Sequence, residues 1–206
     1  MKRLITAVSA ALAAFALAGC ATNGAAFDPD AYRPFDNPDP LSGIASFEDF
    51  EEGLYWKVQD SENDTAFDVD ITEDWASEGT YSGAFEFKAP EKIVNDDGSI
   101  EENPLGKASY GCSSLLFDDF SGYRYVYFDI NNASGGLIDF SFAVEDSGGK
   151  LRWSAPVTLG RGFNRNVIVV LEPMRIPDAR SVSCIYMGFT HKKAGEVYVD
   201  NIRFVK

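Results

Sequence analysis

Three stretches of the chain alternate apolar side chains with aromatic, acidic and hydroxyl ones. Because successive residues of a β-strand point to opposite faces, each stretch would bury its apolar set and present the other set outward. Flat aromatic rings can stack on the C–H face of a sugar ring, and carboxylates or hydroxyls can bind its hydroxyl groups. If the strands are neighbours, they predict one glycan-binding face made of Tyr125, Tyr127, Asp129, Asp139, Ser141 and Tyr186, with Trp153 as a further candidate.

The same residues also have a purely structural interpretation. Tyrosines on the solvent side of a sheet pair across strands and favour strand formation without binding a ligand. Trp153 alternates with Leu151 as a core residue would, and we expect Trp56 and Trp75 to pack. A binding site therefore requires that the aromatic face be open rather than covered.

Motifs for catalysis are weak in this chain. A retaining glycosidase with a β-sandwich fold would carry two carboxylates that face each other across a groove, often in the pattern Glu-x-Asp-x-x-Glu. The nearest run, residues 68–73, has Asp68 in place of the first glutamate. No Ser-His-Asp arrangement, P-loop or dinucleotide fingerprint is present, and His191 lies in a predicted turn. We predict a non-catalytic protein, with a divergent glycan-cleaving enzyme as the less favoured alternative.

The N-terminus has the pattern of a bacterial lipoprotein signal. Lys2 and Arg3 precede an apolar run over residues 4–18, and the run ends at Leu17-Ala-Gly-Cys20. The run is shorter than the roughly 20 residues that span a bilayer. We predict that residues 1–19 are a signal peptide and that Cys20 is lipidated. Residues 20–41, rich in proline and aspartate, would form a tether that holds the protein at the bacterial cell envelope.

The charge of the chain restricts its partners. The formal net charge is −14, and it becomes −16 when Lys2 and Arg3 leave with the signal. An acidic surface repels phosphate backbones, which argues against nucleic acid and for neutral or cationic partners.

The two cysteines that remain after lipidation, Cys112 and Cys184, lie in predicted strands. An oxidising compartment permits a disulfide between them, while two buried free thiols are the alternative.

Residues 42–206 read as one all-β domain. Turn signals such as Ser134-Gly-Gly136 separate strand-like runs, and no convincing helix interrupts them. This pattern predicts a two-sheet antiparallel β-sandwich. Residues 89–107 read as an acidic hairpin or loop insertion. The predicted strands are 44–48, 54–58, 66–72, 82–88, 109–117, 123–131, 137–145, 151–154, 167–171, 182–189 and 196–205.

The last strand carries the most informative local pattern. Val197 and Val199 share a face, and Ile202 and Phe204 resume that face after a one-residue slip, as a β-bulge at Asp200-Asn201 requires. This ending resembles the closing strand of jelly-roll carbohydrate-binding modules, which have a galactose-binding-domain-like sandwich. Two further segments with the features of those modules, residues 46–56 and 78–87, occur in the same order.

The resemblance implies a structural calcium ion and a carbohydrate ligand. Glu48 and Asp200 would supply side-chain oxygens to the ion, with Glu78 and carbonyls near Ser82 completing the shell. We therefore expect a membrane-anchored lipoprotein that binds polysaccharide or another glycan without cleaving it. The alternative class is a structural or interaction lipoprotein that docks a protein of the envelope.

Overall fold

The computed structural model describes residues 44–59, 65–95, 97–101 and 104–206. The predicted signal peptide and tether, with Cys20, lie outside this part of the chain. Fourteen strands and one short 3₁₀ helix, Glu172–Met174, are present here. The strands are β1 (Ile44–Glu48), β2 (Trp56–Val58), β3 (Ala66–Thr72), β4 (Ser82–Phe87), β5 (Ile93–Val94), β6 (Ile100–Glu101), β7 (Gly106–Cys112), β8 (Tyr125–Asn132), β9 (Ile138–Asp146), β10 (Leu151–Trp153), β11 (Val157–Leu159), β12 (Gly162–Val170), β13 (Val182–His191) and β14 (Gly195–Val205).

Two antiparallel sheets form a β-sandwich, which confirms the predicted fold class. Sheet A has the order β12-β8-β14-β4-β3, and β1 also pairs with β14. Sheet B has the order β10-β9-β13-β7-β2, with β11 pairing alongside β10 on β9. The strands β5 and β6 form a separate hairpin inside the predicted acidic insertion. Among the described residues, no helix is long and apolar enough to cross a membrane.

Aromatic rings from both sheets fill the space between them. Phe128 of sheet A contacts Phe140 of sheet B, with ring centroids 4.9 Å apart. Phe85 of sheet A contacts Tyr110 of sheet B at 5.0 Å in an edge-to-face geometry. Trp56 is 2% exposed and packs on Phe85, as its sequence context predicts. The alternation of apolar residues along each strand is thus explained by burial of one face of each sheet.

Most predicted strands are present, with shifted ends. β1 and β3 match their predicted bounds, and β12 begins five residues before the predicted start at Val167. The sequence analysis missed β11 and the 3₁₀ helix. Both are three residues long, which is too short for a periodic signal.

The predicted bulge in β14 is confirmed. Its register with β8 shifts between Asp200 and Arg203, and Asn201 has a positive φ of 53°. Residue 203 therefore returns to the outer face of sheet A, where its guanidinium meets the carboxylate of Asp129 at 3.1 Å. Asn166, at a second bulge in β12, donates its backbone N–H to the same carboxylate at 2.8 Å. One buried carboxylate thus holds both bulges.

Asp129 is accordingly not an exposed ligand residue. It lies on the outward side of β8, as predicted, but it is 0% exposed. The bulges cover it, and its oxygens accept hydrogen bonds from the protein. The prediction that it contributes an open acceptor for a ligand is corrected.

Of the two alternatives left open for the cysteines, the structure has the free thiols. Cys112 and Cys184 are free thiols in this structure. Cys112 pairs in register with Ile185, which follows Cys184, so the two cysteine side chains point to opposite faces of sheet B. Burial raises the pKa of Cys112 to about 11, which makes it a poor nucleophile at neutral pH.

We predict that the buried ion pair between Arg203 and Asp129 stabilises the folded state. Arg203→Met should lower the free energy of unfolding by about 3–5 kcal/mol, because it leaves the Asp129 carboxylate buried without its partner charge. Urea unfolding measures this loss. In an Asp129→Asn background, the same Arg203→Met change should cost much less, because no charge is then left unpaired. Equal losses in the two backgrounds would show that the pair is not responsible.

Candidate functional site

The two sheets divide the predicted glycan-binding residues. Tyr125, Tyr127 and Asp129 lie on β8 in sheet A, whose neighbours are β12 and β14. The other four candidates lie in sheet B: Asp139, Ser141, Trp153 and Tyr186. The outward faces of two stacked sheets point in opposite directions, so the prediction of one shared face is wrong. The reason is that the turn after β8 carries the chain from one sheet to the other.

The outer face of sheet B contains a groove with a floor of small residues. Ser141, Gly188 and Ser109 stand side by side on β9, β13 and β7. The cavity above them has a volume of about 310 Å³. It is lined by Lys107, Ala108, Ser109, Ser141, Trp153, Gly188, Phe189 and Thr190. Its volume is at the lower end of the range for ligand sites in proteins.

Trp153 forms one wall of this groove and is 42% exposed. Its ring lies against the backbone of Gly188, where an added Cβ would come within 2.8 Å of the indole Cζ3. Tyr186 stands beside it, with ring centroids 6.4 Å apart. The Tyr186 ring in turn lies against Gly111, where an added Cβ would meet its Cδ1 at 3.0 Å. Two glycines therefore let two aromatic rings lie close to the sheet.

Oriented polar groups border the rings. The Tyr186 hydroxyl donates a short hydrogen bond to the Glu145 carboxylate. Burial, together with this hydrogen bond to a negative group, raises the pKa of Tyr186 well above its usual range. At the other end of the groove, the Thr158 hydroxyl donates to Asp139 Oδ1 at 2.6 Å. Both carboxylates keep lone pairs available for hydroxyl donors.

Sequence reasoning missed several residues of this groove and its border, namely Ser109, Gly188 and Thr190 in the lining and Gly111 and Thr158 beside it. A glycine inside a strand often marks a place where another group approaches the backbone closely, so Gly111 and Gly188 could have been predicted to lie under other groups. No sequence pattern indicated the serine and threonine residues. Their place depends on which strands pair and in which register, and only the folded structure shows this.

Aromatic side chains on the outer face of sheet A pack on one another. Tyr125 and Tyr127 are half-buried, and their ring centroids lie 6.4 Å apart in an edge-to-face pair. Trp75 packs on Phe163 at 5.3 Å, as expected of a packing tryptophan. These contacts match the structural interpretation of the tyrosine stripe.

The residues predicted to bind calcium gather around the bulge of β14 but mainly contact the protein. Asp200 Oδ2 accepts hydrogen bonds from Ser77 N at 2.7 Å and Glu78 N at 2.9 Å. Glu48 Oε1 accepts from the backbone N–H of Phe50 at 3.0 Å, and the Ser82 hydroxyl donates to the Trp75 carbonyl. Amide hydrogens thus occupy oxygen atoms that a cation would need. No cluster of three acidic, histidine or cysteine side chains suited to a metal occurs in the described ranges.

Protein donors use part of the acceptor capacity of Asp200 and Glu48 in this arrangement, and calcium binding stays a prediction. Burial raises the pKa of Asp200 to about 6 and that of Glu48 to about 7. A bound cation would shift both values in the opposite direction.

Solved structures with the same fold are carbohydrate-binding modules. A family 11 module from Clostridium thermocellum, solved with a β-1,3-1,4-mixed-linked tetrasaccharide, has a TM-score of 0.57 and 18% identity, over 79% of this chain and 95% of its own. The family 11 module of the cellulosomal cellulase Lic26A-Cel5E from the same organism has a TM-score of 0.56 and 17% identity, over 79% and 94%. A family 28 module described as specific for non-crystalline cellulose has a TM-score of 0.54 and 19% identity, over 77% and 92%.

No protein-family model and no curated protein matches this chain. The chain thus has the β-sandwich fold of carbohydrate-binding modules, as its sequence pattern predicts.

Gly188→Ala tests the position of the tryptophan. The added methyl group should displace the Trp153 ring from the sheet, so its fluorescence should move to longer wavelength and become easier to quench with acrylamide. The melting temperature should change little, because the ring lies at the surface and is not part of the core. Gly136→Ala is the matched control, since a Cβ there meets nothing within 4 Å. An unchanged emission spectrum in Gly188→Ala would contradict the described contact.

Glu48 predicts a dependence of stability on pH. Its pKa is raised from 4.5 to about 7 on folding, so the folded state holds the proton more tightly. Its contribution to stability is full below pH 4.5 and is lost as the pH rises through 7. Glu48→Gln should therefore raise stability at pH 8 by about 1–3 kcal/mol and flatten this dependence, with a residual part due to Asp200.

Thermal unfolding of the full-length chain between pH 4.5 and 8, in a non-ionic detergent, measures this effect. The exposed Glu52→Gln is the control and should behave as the wild type. The same scans with calcium and with a chelator test the metal prediction, because an ion bound only by the folded state raises the melting temperature. A pH profile that Glu48→Gln leaves unchanged would rule out Glu48 as its source.

Proposed function

We propose that this protein binds polysaccharide through the outer face of sheet B and does not cleave it. The observation that carries this proposal is the exposed Trp153 ring, in close contact with Gly188 beside a floor of small residues. A pyranose ring can stack its C–H face on such an indole. The serine hydroxyls of the floor and the carboxylates of Asp139 and Glu145 offer partners to its hydroxyl groups.

The fold supports the same function. The family 11 module was solved with a bound tetrasaccharide, and the family 28 module is described as a cellulose binder. At 18–19% identity this likeness is one of fold, so the choice of ligand rests on the groove itself. The exposed indole of Trp153 lines a cavity, which distinguishes the groove on sheet B from the half-buried pair of Tyr125 and Tyr127 on sheet A.

The geometry of the carboxylates favours binding over cleavage. Asp139 and Glu145 lie six residues apart on the single strand β9, a separation of about 20 Å. Glycosidases of both stereochemical classes place their two carboxyl groups within about 10 Å of each other, across the scissile bond. These two carboxylates are therefore suited to hold different parts of a ligand.

We also propose that the lipid on Cys20 anchors the protein in the bacterial cell envelope. The support is the signal pattern of residues 1–20, and the Pro/Asp-rich stretch to residue 41 would separate the binding domain from the membrane. Such an anchor would retain glycan near the cell.

Affinity electrophoresis of the full-length chain through gels that contain soluble polysaccharides tests the binding proposal. Aromatic stacking with a few hydroxyl contacts should give dissociation constants in the micromolar to millimolar range, about −4 to −8 kcal/mol. Trp153→Ala should weaken retention about tenfold or more, and Tyr186→Ala should weaken it less, while the melting temperature stays close to that of the wild type.

Tyr125→Ala is the matched control, because it removes an aromatic ring from the opposite face of the sandwich. Equal retention of wild type and Trp153→Ala would overturn the assignment of this groove. Retention lost in Tyr125→Ala alone would move the site to sheet A. If the chain binds none of the glycans but binds one envelope protein, the alternative of an interaction lipoprotein is favoured.

A further inference from the structure

A second cavity adjoins the groove at the end where Asp139 lies. Its volume is about 550 Å³. Three turns surround it: the turn between β8 and β9, the turn between β11 and β12, and the turn between β13 and β14. The lining side chains include Leu105, Leu137, Thr158, Arg161, Lys192 and Lys193.

Asn132 organises the walls of this cavity. Its amide nitrogen donates to the carbonyl of Gly136 at 2.8 Å and to that of Gly160 at 3.1 Å. Its side-chain oxygen accepts the backbone N–H of Ser134 at 3.1 Å. The turn before β14 abuts the same region, because any side chain at Gly195 would collide with Ser134. The side chain of Asn132 is 2% exposed, so this bracing is part of the folded core and the cavity is formed before any ligand arrives.

The charges in the cavity are mainly positive, in contrast to the chain as a whole. Arg161, Lys192 and Lys193 line it, and none of them forms an ion pair with a carboxylate of the described residues. Lys107 lies on the groove side, in register with Thr190. The one carboxylate in the lining is Asp139, whose Oδ1 accepts the Thr158 hydroxyl. Three cations and one anion leave this site positive in a protein of net charge −14.

The cavity and the groove are neighbours. Thr190 lines both of them, and it stands next to Asp139 in the sheet register. Thr190 lies two positions along β13 from Gly188, a distance of about 7 Å. A chain-like ligand that stacks one sugar on Trp153 would therefore place a neighbouring sugar, with its substituents, at the cations.

We propose that the cavity binds the carboxylate or sulfate groups of an anionic polysaccharide. This inference rests on the proposed glycan-binding function and adds a substrate class to it. Lysine and arginine form strong charge-assisted hydrogen bonds with such groups. The acidic remainder of the protein does not prevent this, because charges further than about 8–10 Å away are screened at physiological ionic strength. The expectation of neutral or cationic partners, based on net charge, thus does not hold for this local site.

Matched pairs of polymers test the substrate class with the full-length chain. Each pair shares a backbone and differs in charge: methyl-esterified and de-esterified pectin, hydroxyethyl- and carboxymethylcellulose, and dextran and dextran sulfate. We expect tighter binding of the charged member of at least one pair, weakened when sodium chloride rises from 50 to 500 mM. The pectin and cellulose pairs report carboxylate, and the dextran pair reports sulfate.

The double variant Lys192→Gln/Lys193→Gln should weaken binding of the charged member about tenfold and leave the neutral member unaffected. Lys150→Gln/Arg180→Gln is the matched control, because it removes the same charge from exposed turns outside both cavities. Circular dichroism and melting curves check that each variant is folded.

The outcomes separate this inference from the function on which it rests. Equal binding of charged and neutral polymers, or equal loss in the two double variants, overturns the anion site while the groove stands. Charged polymers that bind Trp153→Ala as well as wild type, yet are lost in Lys192→Gln/Lys193→Gln, support the anion site and overturn the groove. No binding to any of the six polymers overturns the anion site for these carboxylated and sulfated chains.

Discussion

Contact between aromatic rings of the two sheets is the constraint on which the rest of this structure depends. Phe128 meets Phe140, and Phe85 meets Tyr110, across the interior. Once these rings are buried, the period of two along each strand determines which side chains point outward. Sheet A and sheet B then present separate surfaces, and the groove can use only residues from one of them.

Positions without a side chain are as important to the groove as the aromatic residues are. Gly188 and Gly111 allow the rings of Trp153 and Tyr186 to lie close to the backbone, where larger residues would hold them away. A ring whose position is restricted by such contacts loses less conformational freedom when a sugar stacks on it. The neighbouring cavity is also preorganised, because hydrogen bonds from Asn132 hold its turns in place before a ligand binds. Preorganisation of this kind raises affinity without adding contacts.

Acidic residues have three distinct environments in this protein, and their roles differ accordingly. Asp129 and Asp200 are buried acceptors that hold bulges and a loop, and Glu48 is a buried carboxyl whose pKa is raised. Asp139 and Glu145 are half-exposed at the border of the groove, where hydroxyl donors orient them. Most other acidic residues in the described part of the chain are exposed. A count of carboxylates therefore says little about where a ligand binds, whereas burial and hydrogen-bond partners say a good deal.

The local sequence pattern was sufficient to predict most strands, their inner and outer faces and the bulge at Asp200-Asn201. These features depend on residues that are adjacent in sequence. The same pattern also placed Asp139, Ser141, Trp153 and Tyr186 among the candidates that the structure brings to one face. Only the tertiary structure decided that β8 and β9, neighbours in sequence, belong to different sheets, and this separated Tyr125 and Tyr127 from that face. It alone brought Arg161, Lys192 and Lys193 together at the end of the groove. Strand pairing is set by the packing of side chains distant in sequence, and no local pattern records which distant partner each strand will find.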